Sequence, residues 1–364
     1  MTTVAQASSR ICLFGEHQDY LDLAVIAGAI DLCFTAAATR RTDNVLRLSI
    51  RSRAIDTLNQ TSSGIYDHFS YYIDQPQRYS MQRDYFKSTI NVLLRHGFTL
   101  QGCDIVMDSD IPIGKGMSSS SVMIVTLMQA LLRIGNSPAA EDPLLLAELA
   151  WEAEVFEFQE PGGRMDHYMS TLPGIIHLDF SKSSIHVEPF SLHLSGAFLL
   201  FDSLQPKDTL TALRSAKEPT LSALHKIGAN HIAEILSLPG DKPHGLSALL
   251  SPLEERCLLA QLASARILDD ALAMLRSGTV DDARFGAMLT AHHRQLADGL
   301  CLSTPSLEAI LDAALQHGAW GGKLNGSGGG GCAFAYAPKN QVNEILTAVS
   351  ELGYPGRIVN IAQS

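Results

Sequence analysis

The run Ile111-Pro112-Ile113-Gly114-Lys115-Gly116-Met117-Ser118-Ser119-Ser120-Ser121-Val122 sets small residues directly ahead of an apolar helix. Glycine lets a backbone approach a ligand closely and turn where a side chain would clash. Serines at a helix start supply hydroxyls, and the first-turn N–H groups have no partner within the helix. With the helix dipole added, such a loop is an anion site suited to phosphate. It is not a Walker A loop. Lys115 is followed by Gly116 rather than Ser or Thr, and the upstream glycine is missing. Taken alone, a flexible loop with an ordinary serine cap reads the same way. The helix expected behind it, 119–135, is apolar nearly all round through Val122, Val125, Leu127, Ala130, Leu131 and Ile134, so it should be buried.

A second glycine-rich run lies far downstream: Lys323-Leu324-Asn325-Gly326-Ser327-Gly328-Gly329-Gly330-Gly331-Cys332. Five glycines within six residues carry a heavy entropic cost for a plain hairpin, which needs fewer. Close approach to a substrate or to nucleotide phosphates accounts for them better. Upstream, Arg10-Ile11-Cys12-Leu13-Phe14-Gly15-Glu16-His17-Gln18-Asp19-Tyr20 delivers two carboxylates and an imidazole at a turn after a short apolar strand. Those groups suit hydrogen bonding to a polyhydroxylated ligand, although a solvated charge cluster on a polar loop would look similar.

Between these landmarks the chain alternates strands and helices. Strands are expected at 10–14, 25–29, 45–50, 103–107, 175–178, 198–201 and 332–337, with a last one at 359–361. Helices are expected at 85–96, stopped by Gly97, at 144–158 and at 340–352, with a mainly helical block from Thr209 to about His317. The pattern predicts two α+β lobes, divided at about 190 without a linker. His292-His293 reads as a surface pair, and Trp151 and Trp320 as core residues.

Composition narrows the function. Hydrophobic residues make up 46% and charged residues 18% of 364, enough for a sizeable core and too apolar for global disorder. The net charge of -11 makes nucleic acid and anionic membrane poor partners. No apolar run approaches the roughly 20 residues of a membrane span, and the first ten residues do not read as a signal peptide. The six cysteines lack C-x-x-C or zinc spacing and read as reduced, mostly buried thiols of a cytoplasmic protein.

The glycine- and serine-rich runs and the Glu-His turn occur in the order and at about the spacing found in the GHMP small-molecule kinase superfamily, which includes galactokinase, homoserine kinase, mevalonate kinase and phosphomevalonate kinase. The middle run resembles the family's P-x-x-x-G-L-x-S-S-A loop, with Met117 for Leu and Ser121 for Ala. The last resembles K-x-x-G-x-G-G-G-G-C. The first looks most like the galactokinase signature G-R-x-N-x-I-G-E-H-x-D-Y. A fourth stretch, from Ala153-Glu154 to Gly162-Gly163-Arg164-Met165-Asp166-His167, resembles the galactokinase run from A-E to C-G-I-M-D-Q.

The resemblance implies a two-lobed GHMP kinase fold: residues 1–190 as an N-terminal lobe like ribosomal protein S5 domain 2, and residues 191–364 as a ferredoxin-like C-terminal lobe. It implies ATP and Mg²⁺ as cofactors and a small sugar as substrate, phosphorylated at a hydroxyl, with the anomeric C1 hydroxyl first in line. It assigns Asp166 and Arg10 to catalysis and Glu16, His17, Asp19 and Gly163 to the sugar. ATP would lie on Gly114, Gly116, Ser118, Ser119, Ser120, Gly328 and Gly329, and magnesium on Ser120 and Glu154.

Departures from the galactokinase pattern leave the sugar open. Leu21-Asp22 replaces Asn-Gly, His167 replaces Gln, and Gly162-Gly163-Arg164 replaces Cys-Gly-Ile. Arg164 either meets an acidic substituent or pairs with Glu157 or Glu160. A related kinase for mevalonate, a uronic acid, a pentose or a heptose phosphate is one alternative, and a non-catalytic sugar sensor is another. The oligomeric state is not legible.

Overall fold

The computed structural model describes residues 2–52, 67–112, 114–182, 184–191, 194–236 and 248–362. The chain opens with a long antiparallel pair, β1 (Thr2–Phe14) and β2 (Val25–Arg40). Both run well past the apolar stretches 10–14 and 25–29. Their outer halves are rich in Ala, Ser and Thr, which pack close beneath a helix without a strong alternating pattern. Next come β3 (Val45–Ser52), β4 (Asp67–Tyr72), α1 (Tyr85–Arg95) and β5 (Cys103–Ser109). The buried helix α2 (Ser119–Ile134) packs on β1 and β2.

Helix α3 (Pro143–Trp151) starts on an Asp142 cap and is shorter than the periodicity predicts. It passes into a π-helical turn, Glu152–Phe156. A π-turn slips the register by one residue, and such turns gather at functional sites. Here it buries Ala153, Glu154 and Val155 and leaves Phe156 exposed. After it come α4 (Met165–Thr171), β6 (Ile175–Asp179) and β7 (His186–Phe190). Among the described residues the strands to this point form one sheet in the order β4-β3-β5-β2-β6-β7, with β1 on the other edge of β2.

The second half contributes β8 (Ala197–Asp202), α5 (Thr209–Lys226), α6 (Ile232–Leu236), α7 (Pro252–Arg276), α8 (Asp282–Arg294), α9 (Pro305–Gln316), β9 (Gly321–Asn325), β10 (Cys332–Ala337), α10 (Val342–Glu351) and β11 (Gly356–Val359). The helical block expected from 209 is present, although residues 237–247 lie outside those described. The four strands form an antiparallel sheet, β11-β8-β10-β9. Ile361 bridges back to Ile30, and the Asp31 N–H donates to the Asn360 carbonyl at 3.0 Å, so the chain end returns to the first sheet. One buried core runs through both halves, joining Phe14 and Ile26 to Phe285 and Tyr336.

His292 and His293 are not a surface pair. Both are buried, His292 beside Phe14 and His293 paired with Glu308 at 2.9 Å. The helix carrying them is wedged between the β1 end and β9, so this face looks inward. The two tryptophans are only half-buried. Four cysteines are buried, Cys33 is intermediate, Cys301 is exposed, and all six are free. Among the described residues no helix is long and apolar enough to cross a membrane.

Candidate active site

A cavity of about 310 Å³ opens where the two glycine-rich loops, the turn after β1 and the start of α4 converge. Its floor is backbone against backbone. A Cβ on Gly116 would lie 2.6 Å from the Asn325 carbonyl oxygen, and one on Gly326 would lie 2.6 Å from that of Gly116. Both residues have positive φ, 83° and 77°. Only glycine meets both demands, which is why the runs are conspicuous in the sequence. Asn325 ties them together: its amide accepts from the Cys12 N–H at 3.0 Å and donates to the Gly116 carbonyl at 3.1 Å. Ser9 Oγ donates to the Met117 carbonyl at 2.7 Å, so β1 also holds the loop.

Ser118, at the start of α2, has φ of 55° and makes no side-chain cap on the helix. The serine run is therefore not an ordinary capped start. Ser118, Ser119 and Ser120 line the cavity together with Gly114 and Gly116. Of the second run, Gly326 and Ser327 reach the cavity wall, whereas Gly328 and Gly329 do not. Lys115, the loop's own lysine, pairs with Asp202 at 2.9 Å.

Arg10 and Asp166 meet at the centre. Arg10 Nε and Nη2 approach Asp166 Oδ1 at 2.8 and 2.7 Å, and Nη1 donates to the Gly116 carbonyl at 3.1 Å. Burial works against the Asp166 charge, but Arg10, helped by His167 and the Ser118 hydroxyl, outweighs it and holds the carboxyl below its ordinary range. Arg10 itself is almost wholly buried, while the carboxylate side chain keeps 31% exposure toward the cavity.

Asp19, His17 and Glu16 line one side of the cavity. Asp19 accepts from the backbone N–H of Met165 and of Tyr20, each at 3.0 Å, and burial pushes its carboxyl up to about 6. A Cβ on Gly163 would fall 2.0 Å from Asp19 Oδ2. His17, at φ 65°, hydrogen-bonds the Tyr20 hydroxyl at 2.8 Å and the Ser327 carbonyl at 3.1 Å. Its burial drives the imidazole down to about 3, so it is neutral at working pH. Glu16 has both oxygens engaged, by Lys323 Nζ at 2.6 Å and by the Gly326 N–H at 2.9 Å.

Glu154, turned inward by the π-helix, accepts at Oε2 from Ser121 Oγ at 2.6 Å and contacts His167 Nε2 at 2.8 Å. Burial raises its pKa, but the bonds from His167, Ser120 and Ser121 outweigh that and leave the carboxyl below its ordinary value. Among the described residues no three His, Cys, Asp or Glu side chains form a metal cage. One buried carboxylate beside serine hydroxyls is the donor set of a magnesium ion that takes its remaining ligands from phosphate and water.

Arg164 goes neither to Glu157 nor to Glu160. It lies over the Trp151 ring at 4.3 Å and reaches Glu148 at 3.5 Å, outside the cavity. The other two acids are taken, Glu160 by Arg83 and Glu157 by Arg95, each at 2.7 Å. The sequence reading missed Lys207 and the Arg83–Glu160 pair, all on the cavity wall. Lys207 sits in an unremarkable polar connection and has no motif around it to mark it.

The fold is that of the GHMP kinases, and the chain belongs to this family. Residues 84–174 match the GHMP kinase N-terminal domain, and residues 277–355 match the GHMP kinase C-terminal domain. Residues 2–40 match the galactokinase galactose-binding signature, which makes the chain a galactokinase-like member. It is similar to the galactokinase of Streptomyces coelicolor, 28% identical over 359 residues, covering 95% of this chain and 87% of that protein. It is also similar to the mevalonate kinase of Thermococcus sibiricus, 25% identical over 355 residues, covering 97% and 94%. Among solved structures, Lactococcus lactis galactokinase complexed with galactose superposes with a TM-score of 0.82 at 20% identity, covering 100% of this chain and 94% of that one. Methanococcus jannaschii mevalonate kinase gives a TM-score of 0.69 at 19% identity, covering 100% and 99%.

Proposed function

We propose that this protein transfers the γ-phosphoryl group of ATP to a hydroxyl of a neutral monosaccharide, with galactose and its anomeric C1 hydroxyl as the leading case. The observation that carries the reading is the Arg10–Asp166 pair, with its carboxylate open to a cavity bounded by both glycine-rich loops and by Asp19 and His17. The Gly114–Ser120 loop binds the triphosphate through backbone N–H groups and serine hydroxyls, with Gly326 and Ser327 closing the cavity beside it. Ser120 and Glu154 hold magnesium, which neutralises charge on the phosphates when bound. Asp166 accepts the proton of the attacking hydroxyl, and Arg10 keeps that carboxylate ionised while facing the developing charge. Phosphoryl transfer asks mainly for positioning and electrostatics, which is what these residues supply.

On the sugar side, Asp19 keeps carboxylate lone pairs for hydroxyls, while neutral His17, its ring nitrogens engaged by Tyr20 and the Ser327 carbonyl, shapes the wall beside it. Carboxylates crowd this end of the cavity, which favours an uncharged substrate over a uronic acid or a sugar phosphate. The mevalonate kinase relative keeps a second reading in play, a GHMP kinase for a different alcohol. The division of the chain into lobes at about residue 190 follows the change from the first sheet to the second. The test is a coupled ADP-release screen with ATP, Mg²⁺ and a panel of free sugars, mevalonate, uronic acids and sugar phosphates. Turnover on a neutral hexose is expected. Turnover on mevalonate alone would move the substrate, and turnover on none would leave the sensor reading.

A further inference from the structure

We propose that His167 is a positioning residue for the magnesium carboxylate: its Nε2–H holds Glu154 Oε2 and leaves Oε1 as the oxygen offered to the ion. The proposal rests on the kinase reading and gives a role to a residue that departs from the galactokinase pattern, His in place of Gln.

Glu154 needs such a partner. Its long side chain loses rotamer freedom when it is ordered, and it projects from the π-turn Glu152–Phe156, where the helical register slips. Two of its hydrogen bonds converge on one oxygen. Ser121 Oγ donates to Oε2 at 2.6 Å, and His167 Nε2 meets the same atom at 2.8 Å. Oε1 takes neither. Glu154 and Ser120, the two proposed magnesium ligands, both line the cavity, as does His167. An ionised carboxylate only accepts, so the hydrogen of the His167 bond lies on Nε2. His167 Nδ1 is buried and, among the described residues, has no hydrogen-bond partner. The ring therefore acts on Glu154 through a single atom.

The ring is firmly mounted. His167 follows Asp166 in the first turn of α4. Its N–H donates to the Arg164 carbonyl at 3.2 Å, and Ser170 Oγ donates to the Asp166 carbonyl at 2.7 Å. Met165, Tyr168 and Met169 of the same helix pack with Cys12, Val25 and Ala147 in one buried cluster. The His167 and Glu154 side chains are only 2% and 7% exposed, so water competes little for their bond. One short helix thus carries both the proton acceptor and the group that aims the magnesium ligand, which sets the spacing between them. Groups that hydrogen-bond a ligating carboxylate fix its orientation, and altering them costs about 10–100-fold in metal affinity. In this arrangement His167 touches neither sugar nor phosphate and acts through Glu154.

The test is to measure binding of a non-hydrolysable ATP analogue, once with Mg²⁺ and once with EDTA, to wild type, His167→Gln and His167→Asn, with thermal melts on each. The ratio of the two affinities reports the metal site separately from the nucleotide site. Glutamine brings its amide N–H to about the place of Nε2, whereas asparagine brings it to that of Nδ1. Wild type is expected to bind the analogue more tightly with Mg²⁺. His167→Asn should lower the ratio about tenfold or more with affinity in EDTA unchanged, and His167→Gln should keep most of it. If the two variants give the same ratio, if His167→Asn weakens binding equally with and without Mg²⁺, or if wild type is indifferent to Mg²⁺, the Nε2 bond does not serve the metal and the proposal fails. Should His167→Asn not fold, Ser121→Ala removes the other donor to Oε2 and should lower the ratio in the same direction; an unchanged ratio there is equally contrary. In all these cases nucleotide binding by wild type keeps the kinase reading. If wild type binds no nucleotide, both fail together.

Discussion

Glu16 and Lys323 lie 307 residues apart in the chain, yet their carboxylate and ammonium meet at 2.6 Å with both side chains almost wholly buried. Lys323 also donates to the Cys12 carbonyl at 2.8 Å, and Glu16 accepts from the Gly326 N–H. The pair thus fixes the second glycine run against the turn that carries His17 and Asp19. Removing one partner leaves the other charge buried and alone. Lys323→Met is expected to lower stability by about 3–5 kcal/mol in chemical denaturation. Glu16→Gln combined with Lys323→Met should cost less than the sum of the single changes, because the two sites share one interaction.

His17 sets a second prediction. Its imidazole is held near 3, against 6.5 when unperturbed. Between those values the unfolded chain takes up a proton that the folded chain refuses. Stability from this group is therefore fully present above pH 6.5 and is lost as pH falls toward 3, at up to about 1.4 kcal/mol per pH unit. Denaturation across pH 7 to 4 should show a shallower acid slope for His17→Gln than for wild type. Some slope remains, since buried His292 and His293 are shifted in the same direction.

Much of this site is legible in the sequence, for a local reason. Gly116 and Gly326 are forced by backbone contact and positive φ, demands that no other residue meets, so the motif records the geometry. Asp166 and Arg10 were reachable through their motif neighbours. The Glu16–Lys323 pair, the inward-facing His292 and the half-buried Lys207 depend on long-range packing, which leaves no periodic trace. The π-turn at 152–156 was hidden as well, because its one-residue slip looks like continued helix.

In the proposed reading Glu154 supplies the carboxylate for magnesium. Glu154→Gln is expected to raise the Mg²⁺ concentration needed for half-maximal turnover about tenfold or more, given the 10–100-fold effects seen when metal-supporting groups are altered. ADP release titrated against Mg²⁺ checks this, and chelation with EDTA should abolish turnover in wild type.

Gly163 has no room for a methyl group, because the new atom would land on the Asp19 carboxylate. Gly163→Ala should raise the sugar KM about tenfold, corresponding to 1–3 kcal/mol of overpacking, while binding of the ATP analogue is unchanged. Steady-state kinetics with sugar and ATP varied separately distinguishes the two.

The most direct test is turnover by Asp166→Asn, with ATP, Mg²⁺ and the best sugar at saturation, alongside nucleotide binding to the same variant. With its proton acceptor gone, kcat should drop by about 10²–10⁴-fold while the ATP analogue binds as in wild type. A variant that binds nucleotide and still turns over at the wild-type rate contradicts the account, because Asp166 would then have no part in the transfer.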